Sequence, residues 1–151
     1  MRVVIQRVKN ASVSVEGKQI SSIEKGFLIL VGIEDVDTKE DVEWLTQKIV
    51  NLLVFDDENG IMNKSVVDVD GEILVVSQFT LFASTKKGNR PSYIRASKPD
   101  FAVPMYQQFC KKLTQLFGKE IKTGIFGADM KVSLVNDGPV TIILDSQEMG
   151  R

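Results

Sequence analysis

A continuous apolar run between two glycines, residues 26–33, limits the folds open to this chain more than any other segment. An unbroken run of this length is typical of a strand that is buried on both faces of a sheet. Such a strand requires a substantial core around it. The 151 residues, 43% of them hydrophobic, are enough to bury one within a single domain.

Other segments predict further strands and a first helix. Alternation of apolar and polar residues, bounded by turn-forming residues, indicates the strands. The predicted strands are residues 1–9, 11–15, 26–33, 72–81, 130–135 and 140–144. Asn10 is interpreted as a bulge or turn between the first two. Thr38 and Asp41 form a capping box at the start of an amphipathic helix that ends near Phe55.

A second amphipathic helix is predicted with Ser97 as its cap and Pro99 in its first turn. Gly118 is a plausible end, and Pro104 predicts irregular first turns or a later start. The order of strands and helices is not the regular alternation of a doubly wound sheet. We therefore expect a single α+β domain over residues 1–151, with a curved, mostly antiparallel, barrel-like sheet and two main helices.

The chain contains no histidine, and this absence rules out several types of catalytic site. Ser-His-Asp and Cys-His nucleophile pairs and the HExxH zinc site are all ruled out. Cys110 is the single cysteine, so a Cys/His zinc site and an internal disulfide are excluded too. No apolar run reaches the roughly 18 residues of a membrane span. We expect a cytoplasmic protein that needs no metal and no cofactor and has no membrane partner.

Ser77, Gln78, Phe79 and Thr80 follow the apolar part of the fourth predicted sheet strand. Residues at alternate positions of a strand share a face, so Ser77 and Phe79 would lie opposite Gln78. The segment is either a strand end whose polar residues meet water, or a site wall that supplies two hydroxyls and an amide. Spacing alone leaves both interpretations open.

The segment from Asn136 to Thr141 contains Asp-Gly, which is common in hairpin turns. Pro139 complicates a plain turn, because it removes a backbone donor and restricts Gly138. A cis Gly138–Pro139 bond would turn carbonyl oxygens outward in a fixed pattern. Rigid acceptors of that kind would suit a substrate ammonium group.

The loop of residues 86–98 carries five basic residues and no acidic one, while the whole chain has a net charge of −1. Solvated charge and a surface that faces phosphates both explain such a run. The residues that would contact nucleic acid are Lys86, Lys87, Arg90 and Arg95.

Taken together, these segments closely resemble the D-aminoacyl-tRNA deacylase family, over nearly the whole chain. The stretches that carry the resemblance are residues 1–8, 77–81, 88–93, 124–130 and 136–141. Tyr93 stands where that family often has phenylalanine, which affects a local contact and not the assignment.

The resemblance implies a homodimer that hydrolyses the ester of D-aminoacyl-tRNA at an active site on its interface. Gly138 and Pro139 of one subunit, in the cis form, would enter the pocket around residues 77–80 of the other and exclude L side chains, with Arg7 as support. The other implied substrate contacts are Asn136, Val140, Thr141 and Met130. Because glycine has no side chain to exclude, glycyl-tRNA should also be a substrate.

For catalysis we favour assistance by the vicinal 2′-hydroxyl of the terminal adenosine, with Thr80 positioning rather than attacking. Backbone amides near Phe79 and Thr80 would stabilise the oxyanion. Two other hypotheses stay open from the sequence. One is a non-enzymatic RNA-binding module that uses the basic loop, and the other is a small-molecule esterase unrelated to tRNA.

Overall fold

Six strands of the computed structural model form one mixed sheet, and two helices pack on it; residues 1–148 are described. The strands are β1 (Arg2–Val15), β2 (Lys18–Ile23), β3 (Gly26–Gly32), β4 (Phe55–Asp56), β5 (Met62–Lys64), β6 (Glu72–Ser77), β7 (Lys122–Thr123) and β8 (Met130–Asp145). The helices are α1 (Lys39–Asn51) and α2 (Pro99–Phe117), with short 3₁₀ turns at Phe79–Phe82 and Ser146–Glu148. Strands β4 and β5 form a separate small hairpin.

The long strand β1 organises the sheet. Its first half pairs with β3, its second half with β2, and nearly its whole length with β8, always antiparallel. Strands β3, β6 and β7 continue the sheet by parallel pairing. The strand order is β2-β1-β3-β6-β7. The Ser21 hydroxyl of β2 donates to the Thr123 carbonyl oxygen of β7 at 2.9 Å, so the two edge strands of this order are in contact. The expected barrel-like α+β fold is confirmed.

Strand β3 is buried on both faces, as its apolar run predicted. Phe27, Ile29 and Val31 belong to the main core, which they share with β1, β6 and both helices. Leu28 faces the other way, into a second cluster with Leu74 and other residues of β1, β2 and β6. Successive side chains of a strand point to opposite faces, so one strand serves both clusters.

The structure corrects the prediction of two strand pairs at the chain ends. Residues 2–15 form one strand, and the pairing of β1 with β8 shifts register between Val8 and Asn10. Residues 130–145 also form one strand, so Asn136–Pro139 is not a hairpin turn. Between these two ends β8 has more residues than β1, because Arg7 alone lies opposite residues 137–140, and the extra residues of β8 form a bulge. Pairing with β1 on both sides of the bulge explains why the chain does not reverse.

The helices begin and end close to their predicted limits. The backbone N–H of Thr38 donates to the Asp41 carboxylate at 2.7 Å, which confirms the capping box. Helix α1 ends at Asn51, before the predicted limit at residue 55, which lies in β4. Neither helix has the length and apolar composition of a bilayer span, as far as residues 1–148 are concerned.

Lys98, not Ser97, is the N-cap of α2, and the Ser97 hydroxyl donates to the Asp35 carboxylate at 2.6 Å. Helix α2 runs without interruption through Pro104, contrary to the predicted irregular start. Gly118 ends it in the left-handed conformation, with φ of 84°, which glycine adopts at little cost.

Cys110 on α2 should be chemically inert in the native protein. Burial raises the pKa of its thiol from 9.0 to about 11, and the thiolate is the reactive form. We expect alkylation by iodoacetamide at pH 8 to be about 100-fold slower in the native protein than in urea. Mass spectrometry over time measures both rates. Equal rates in the two conditions would show that the thiol is accessible and ionises normally.

Candidate active site

A cavity of about 510 Å³ lies where β6 ends. Its wall contains all four residues of the polar segment, Ser77, Gln78, Phe79 and Thr80, together with Met130. The remaining lining residues are Val31, Ile33, Tyr93, Ala96, Ser97, Lys98, Pro99, Ala102, Phe126, Gly127 and Ala128. Five of the residues predicted from the sequence to form a site are therefore brought together at one concave surface.

Strand β6 ends at Ser77, four residues earlier than predicted from the sequence. The Gln78 N–H still donates to the Val31 carbonyl oxygen at 2.7 Å, but β3 ends at the next residue. Without a partner strand, the chain turns into the 3₁₀ helix Phe79–Phe82. The predicted alternation of faces does not extend past Gln78, and the turn brings Thr80 to the same cavity as Ser77.

The backbone N–H groups of Phe79 and Thr80 make no hydrogen bond to any of residues 1–148. Both lie at the start of the 3₁₀ turn, where the first N–H groups of a helix have no partner within it. The Gln78 side-chain amide donates to the Thr80 hydroxyl oxygen at 3.0 Å. This segment therefore offers two free backbone donors beside a fixed hydroxyl.

Tyr93 and Lys98 are the ionisable side chains among the lining residues described, and no carboxylate joins them. Phe79, which is 57% exposed, contacts Tyr93 edge to face at a centroid distance of 5.1 Å. A carboxylate or imidazole base beside the Thr80 hydroxyl is thus missing from this wall. The arrangement favours chemistry by hydrogen-bond donors over proton abstraction by a side chain.

The bulge of β8 lies apart from this wall. Asn136 closes it, because its side-chain oxygen accepts the Val140 N–H at 2.8 Å and its amide donates to the Thr141 hydroxyl at 3.2 Å. The Gly138–Pro139 bond is cis, as expected, and both residues are exposed. Neither residue is among those that line the cavity of the same chain.

Arg7 anchors the bulge from β1. Its Nε donates to the Asp137 carbonyl oxygen at 2.9 Å and its Nη1 to the Val54 carbonyl oxygen at 2.6 Å. The side chain is nearly buried, and Asp56 lies 3.6 Å from it. Arg7 therefore holds the segment around Gly138 and not the segment at the cavity.

The basic loop divides into two parts. Lys86, Lys87 and Arg90 are exposed. Arg95 is exposed as well, but it forms an ion pair with the nearly buried Glu34, at 2.6 Å from Nη2 to Oε1. A guanidinium that is engaged in this way is less available to a phosphate than its neighbours are.

Comparison with known proteins decides the family. A family model described as D-Tyr-tRNA(Tyr) deacylase matches residues 4–145. A D-aminoacyl-tRNA deacylase of Flavobacterium johnsoniae is 68% identical, with 97% of this chain and 98% of that protein covered. A protein of the same name from Bacteroides fragilis is 65% identical over the same shares. The chain belongs to the D-Tyr-tRNA(Tyr) deacylase family.

Two solved structures are similar to this member of the deacylase family. One, titled c-Myc DNA Unwinding Element Binding Protein, has a TM-score of 0.91 and 46% identity, with 96% of this chain and 98% of that chain covered. The other, titled as a probable eukaryotic D-amino acid tRNA deacylase, has a TM-score of 0.81 at 17% identity over 95% and 97% of the chains. The second likeness concerns the fold alone.

Sequence reasoning missed some of the wall that this deacylase-family chain builds. Lys98, Phe126, Gly127 and Ala128 line the cavity but were not predicted as site residues. Gly124 lies close to one lining residue, because a β-carbon there would lie 2.5 Å from the Met130 sulfur and the Met130 side chain would have to move. The short glycine-rich stretch before β8 was the available signal, since glycines often permit such close approach.

Proposed function

We propose that this protein hydrolyses the ester between a D-amino acid and the 3′-terminal adenosine of tRNA, releasing free D-amino acid and tRNA. Family membership gives the reaction class, and the free N–H groups of Phe79 and Thr80 at the cavity carry the proposal. Two donors beside each other suit the oxyanion that forms when an ester carbonyl is attacked. The single cysteine fits a reducing cytoplasm as the place of action.

The proposed mechanism uses no nucleophilic side chain. No carboxylate or imidazole accompanies the Thr80 hydroxyl among the lining residues described, so nothing of that kind would activate it. Water would attack the ester carbonyl with assistance from the vicinal 2′-hydroxyl of the adenosine. The bond between the carbonyl carbon and the ribose oxygen would break, and the departing ribose oxygen would take a proton from the water, which releases the free amino acid and the tRNA. Each preorganised donor contributes on the order of 10²–10³-fold to the rate. The ester of an aminoacyl-tRNA is already reactive, so two such donors are sufficient to account for catalysis.

Replacing Thr80 with alanine should lower kcat about tenfold, because one neutral hydrogen bond is lost. Single-turnover hydrolysis of D-tyrosyl-tRNA measures the change. Serine at this position retains the hydroxyl and serves as the matched control, with activity close to that of the wild type. A loss near the millionfold scale of a missing nucleophile would instead make Thr80 the attacking group.

Chiral selection is proposed to come from a homodimer. Gly138 and Pro139 are exposed, and they sit on β8, which pairs with β1 on one side. In the proposal, the partner's copy of this corner enters the cavity and contacts the substrate near its chiral centre. Asn136, Val140 and Thr141 shape the corner, and Met130 lines the cavity beside it. The corner leaves room for a D side chain and none for an L side chain.

The decisive assay compares D-tyrosyl-tRNA, L-tyrosyl-tRNA and glycyl-tRNA. We expect rapid hydrolysis of the first, none of the second above the uncatalysed rate, and measurable hydrolysis of the third. Selection by exclusion has nothing to act on in glycine, which has no side chain. If glycyl-tRNA survives high enzyme concentrations while D-tyrosyl-tRNA is cleaved, the exclusion model is wrong.

Contact with the tRNA body is proposed for Lys86, Lys87 and Arg90, which are exposed basic residues of one loop. The 46% identical structure is titled as a DNA-element-binding protein, so nucleic-acid binding without catalysis is the second candidate. Tight binding of uncharged nucleic acid by a protein that leaves D-tyrosyl-tRNA intact would favour it. Equal rates on a simple D-amino acid ester and on the tRNA substrate would favour a small-molecule esterase.

A further inference from the structure

Two arginines from distant parts of the chain meet over one buried ring next to the candidate active site. The ring is that of Phe82, the last residue of the 3₁₀ turn that begins at Phe79. The guanidinium carbon of Arg2 lies 4.8 Å from the ring centroid, and that of Arg95 lies 5.1 Å from it. The Phe82 ring is buried, while the side chains of Arg2 and Arg95 are 28% and 50% exposed, and a cation over an aromatic face is attracted to the ring at partly exposed sites as well. The end of the turn is therefore held by two cations.

Arg2 also binds the backbone of the turn. Its Nη1 donates to the Leu81 carbonyl oxygen at 2.8 Å. Its Nε and Nη2 lie 3.0 and 2.9 Å from the same carboxylate oxygen of Asp145. One side chain thus ties the 3₁₀ turn to the start of β1 and to the end of β8.

Arg95 holds the turn from the loop side. Its Nε and Nη2 lie 2.8 and 2.6 Å from one carboxylate oxygen of Glu34, which is nearly buried. Two residues earlier in the loop is Tyr93, whose ring contacts Phe79. The ion pair of Arg95 with Glu34 therefore supports both ends of the turn, at Phe79 and at Phe82.

Gly32 provides the space in which this ring is seated. A β-carbon at position 32 would lie 3.0 Å from the Phe82 ring and 3.1 Å from the Leu81 β-carbon. The absence of a side chain at the end of β3 lets the turn approach the sheet closely. The cations and the close packing leave Phe82 little freedom to move.

We infer that Arg2 and Arg95 are positioning residues that fix the Phe79–Phe82 turn, and with it the donors of Phe79 and Thr80. The inference deepens the proposed function and rests on it. A displacement of about 1 Å in a catalytic group can cost on the order of 10²-fold in rate. Arg95 thereby acts through its contacts with Glu34 and Phe82, although its side chain is half exposed and the loop around it is basic.

The test compares Arg95→Gln, Glu34→Gln and the double variant on D-tyrosyl-tRNA. Each single variant should lower kcat about 10- to 100-fold and leave KM within about twofold. The double variant should be no slower than the slower single one, because both substitutions remove the same pair. Lys18→Gln, which removes one exposed charge on β2, should leave both constants unchanged.

Salt dependence separates positioning from RNA binding. A phosphate contact at Arg95 would make Arg95→Gln raise KM, reduce the slope of affinity against salt by about one, and leave Glu34→Gln unaffected. That pattern would overturn the inference. In the expected result the salt slope is the same in the wild type and in all three variants.

Amide hydrogen exchange tests the turn without any substrate. The Leu81 N–H donates to Gln78 and the Ala83 N–H to Thr80, so both report on the turn. We expect faster exchange of these two amides in both single variants, with global stability little changed. Unchanged exchange would overturn the inference. Faster exchange in a protein whose wild type lacks deacylase activity would refute the proposed function and leave the positioning role intact.

Discussion

Replacing Gly138 with alanine should lower kcat/KM for D-tyrosyl-tRNA about 10²-fold or more. A β-carbon there would lie 2.8 Å from Val140 Cγ2 and 3.1 Å from Arg7 Nη2. The backbone also has φ of 139°, which L side chains rarely adopt. The added methyl group would disturb the Asn136–Val140 and Arg7–Asp137 hydrogen bonds that shape the bulge, and would so displace the corner that we propose to contact the substrate.

The control for this variant is Ser133→Ala, an exposed position on the same strand. It should retain wild-type activity, since Ser133 pairs in register with Ser12, outside the bulge. Wild-type activity in Gly138→Ala would show that the corner is not part of the site.

Mixing Phe79→Pro chains with Gly138→Ala chains tests whether the corner of one subunit acts on the cavity of the other. Phe79→Pro removes one proposed oxyanion donor. The turn should tolerate it, because proline suits the first position of a helix and the preceding residue, Gln78, already has the extended backbone that proline requires. Each variant alone should be nearly inactive. Random assortment with Gly138→Ala chains should restore about a quarter of the wild-type sites in a two-fold dimer. Activity no higher than the average of the two pure variants would refute an active site shared between chains.

Gly26→Ala should strongly destabilise the folded protein. A β-carbon at Gly26 would lie 1.8 Å from the Glu72 carbonyl oxygen, which belongs to the backbone and cannot rotate away. This contact lies at the first residue pair of β3 and β6, beside the buried Phe27 and Ile73. We expect a loss of about 3 kcal/mol or more in the free energy of unfolding, a large share of a typical domain's total.

Urea unfolding followed by Trp44 fluorescence measures this loss. Glu24→Ala, at an exposed position two residues earlier, should stay within about 0.5 kcal/mol of the wild type. An unchanged unfolding midpoint in Gly26→Ala would mean that β3 and β6 do not pair in this register.

Local signals explain what could be predicted from the sequence. The capping pair Thr38 and Asp41, the helix end at Gly118 and the doubly buried β3 all depend on residues close together in the chain. Part of the candidate site could also be predicted from the sequence, because Ser77 to Thr80 place polar groups at the end of an apolar strand. Family resemblance added the cis bond at Gly138–Pro139, which composition and spacing had left open.

The remainder depends on partners that are distant in sequence. Asp-Gly-Pro favours a turn locally, but pairing of β8 with β1 across more than a hundred residues makes the segment a bulge. The length of β3 decides where β6 ends, and the sequence around Ser77 does not contain that information. Arg95 looked like its basic neighbours because Glu34, its ion-pair partner, is 61 residues away.

The way in which Arg7 grips the bulge has a consequence for how this protein can vary. Arg7 binds the carbonyl oxygens of Val54 and Asp137, and every amino acid presents such an oxygen. The side chain at position 137 can therefore be substituted during evolution without loss of the Arg7 hydrogen bond. The number of residues in the segment cannot change in the same way, because one residue gained or lost between 136 and 141 would change which carbonyl oxygen meets the guanidinium. We expect this stretch to tolerate substitution at 137 far better than insertion or deletion.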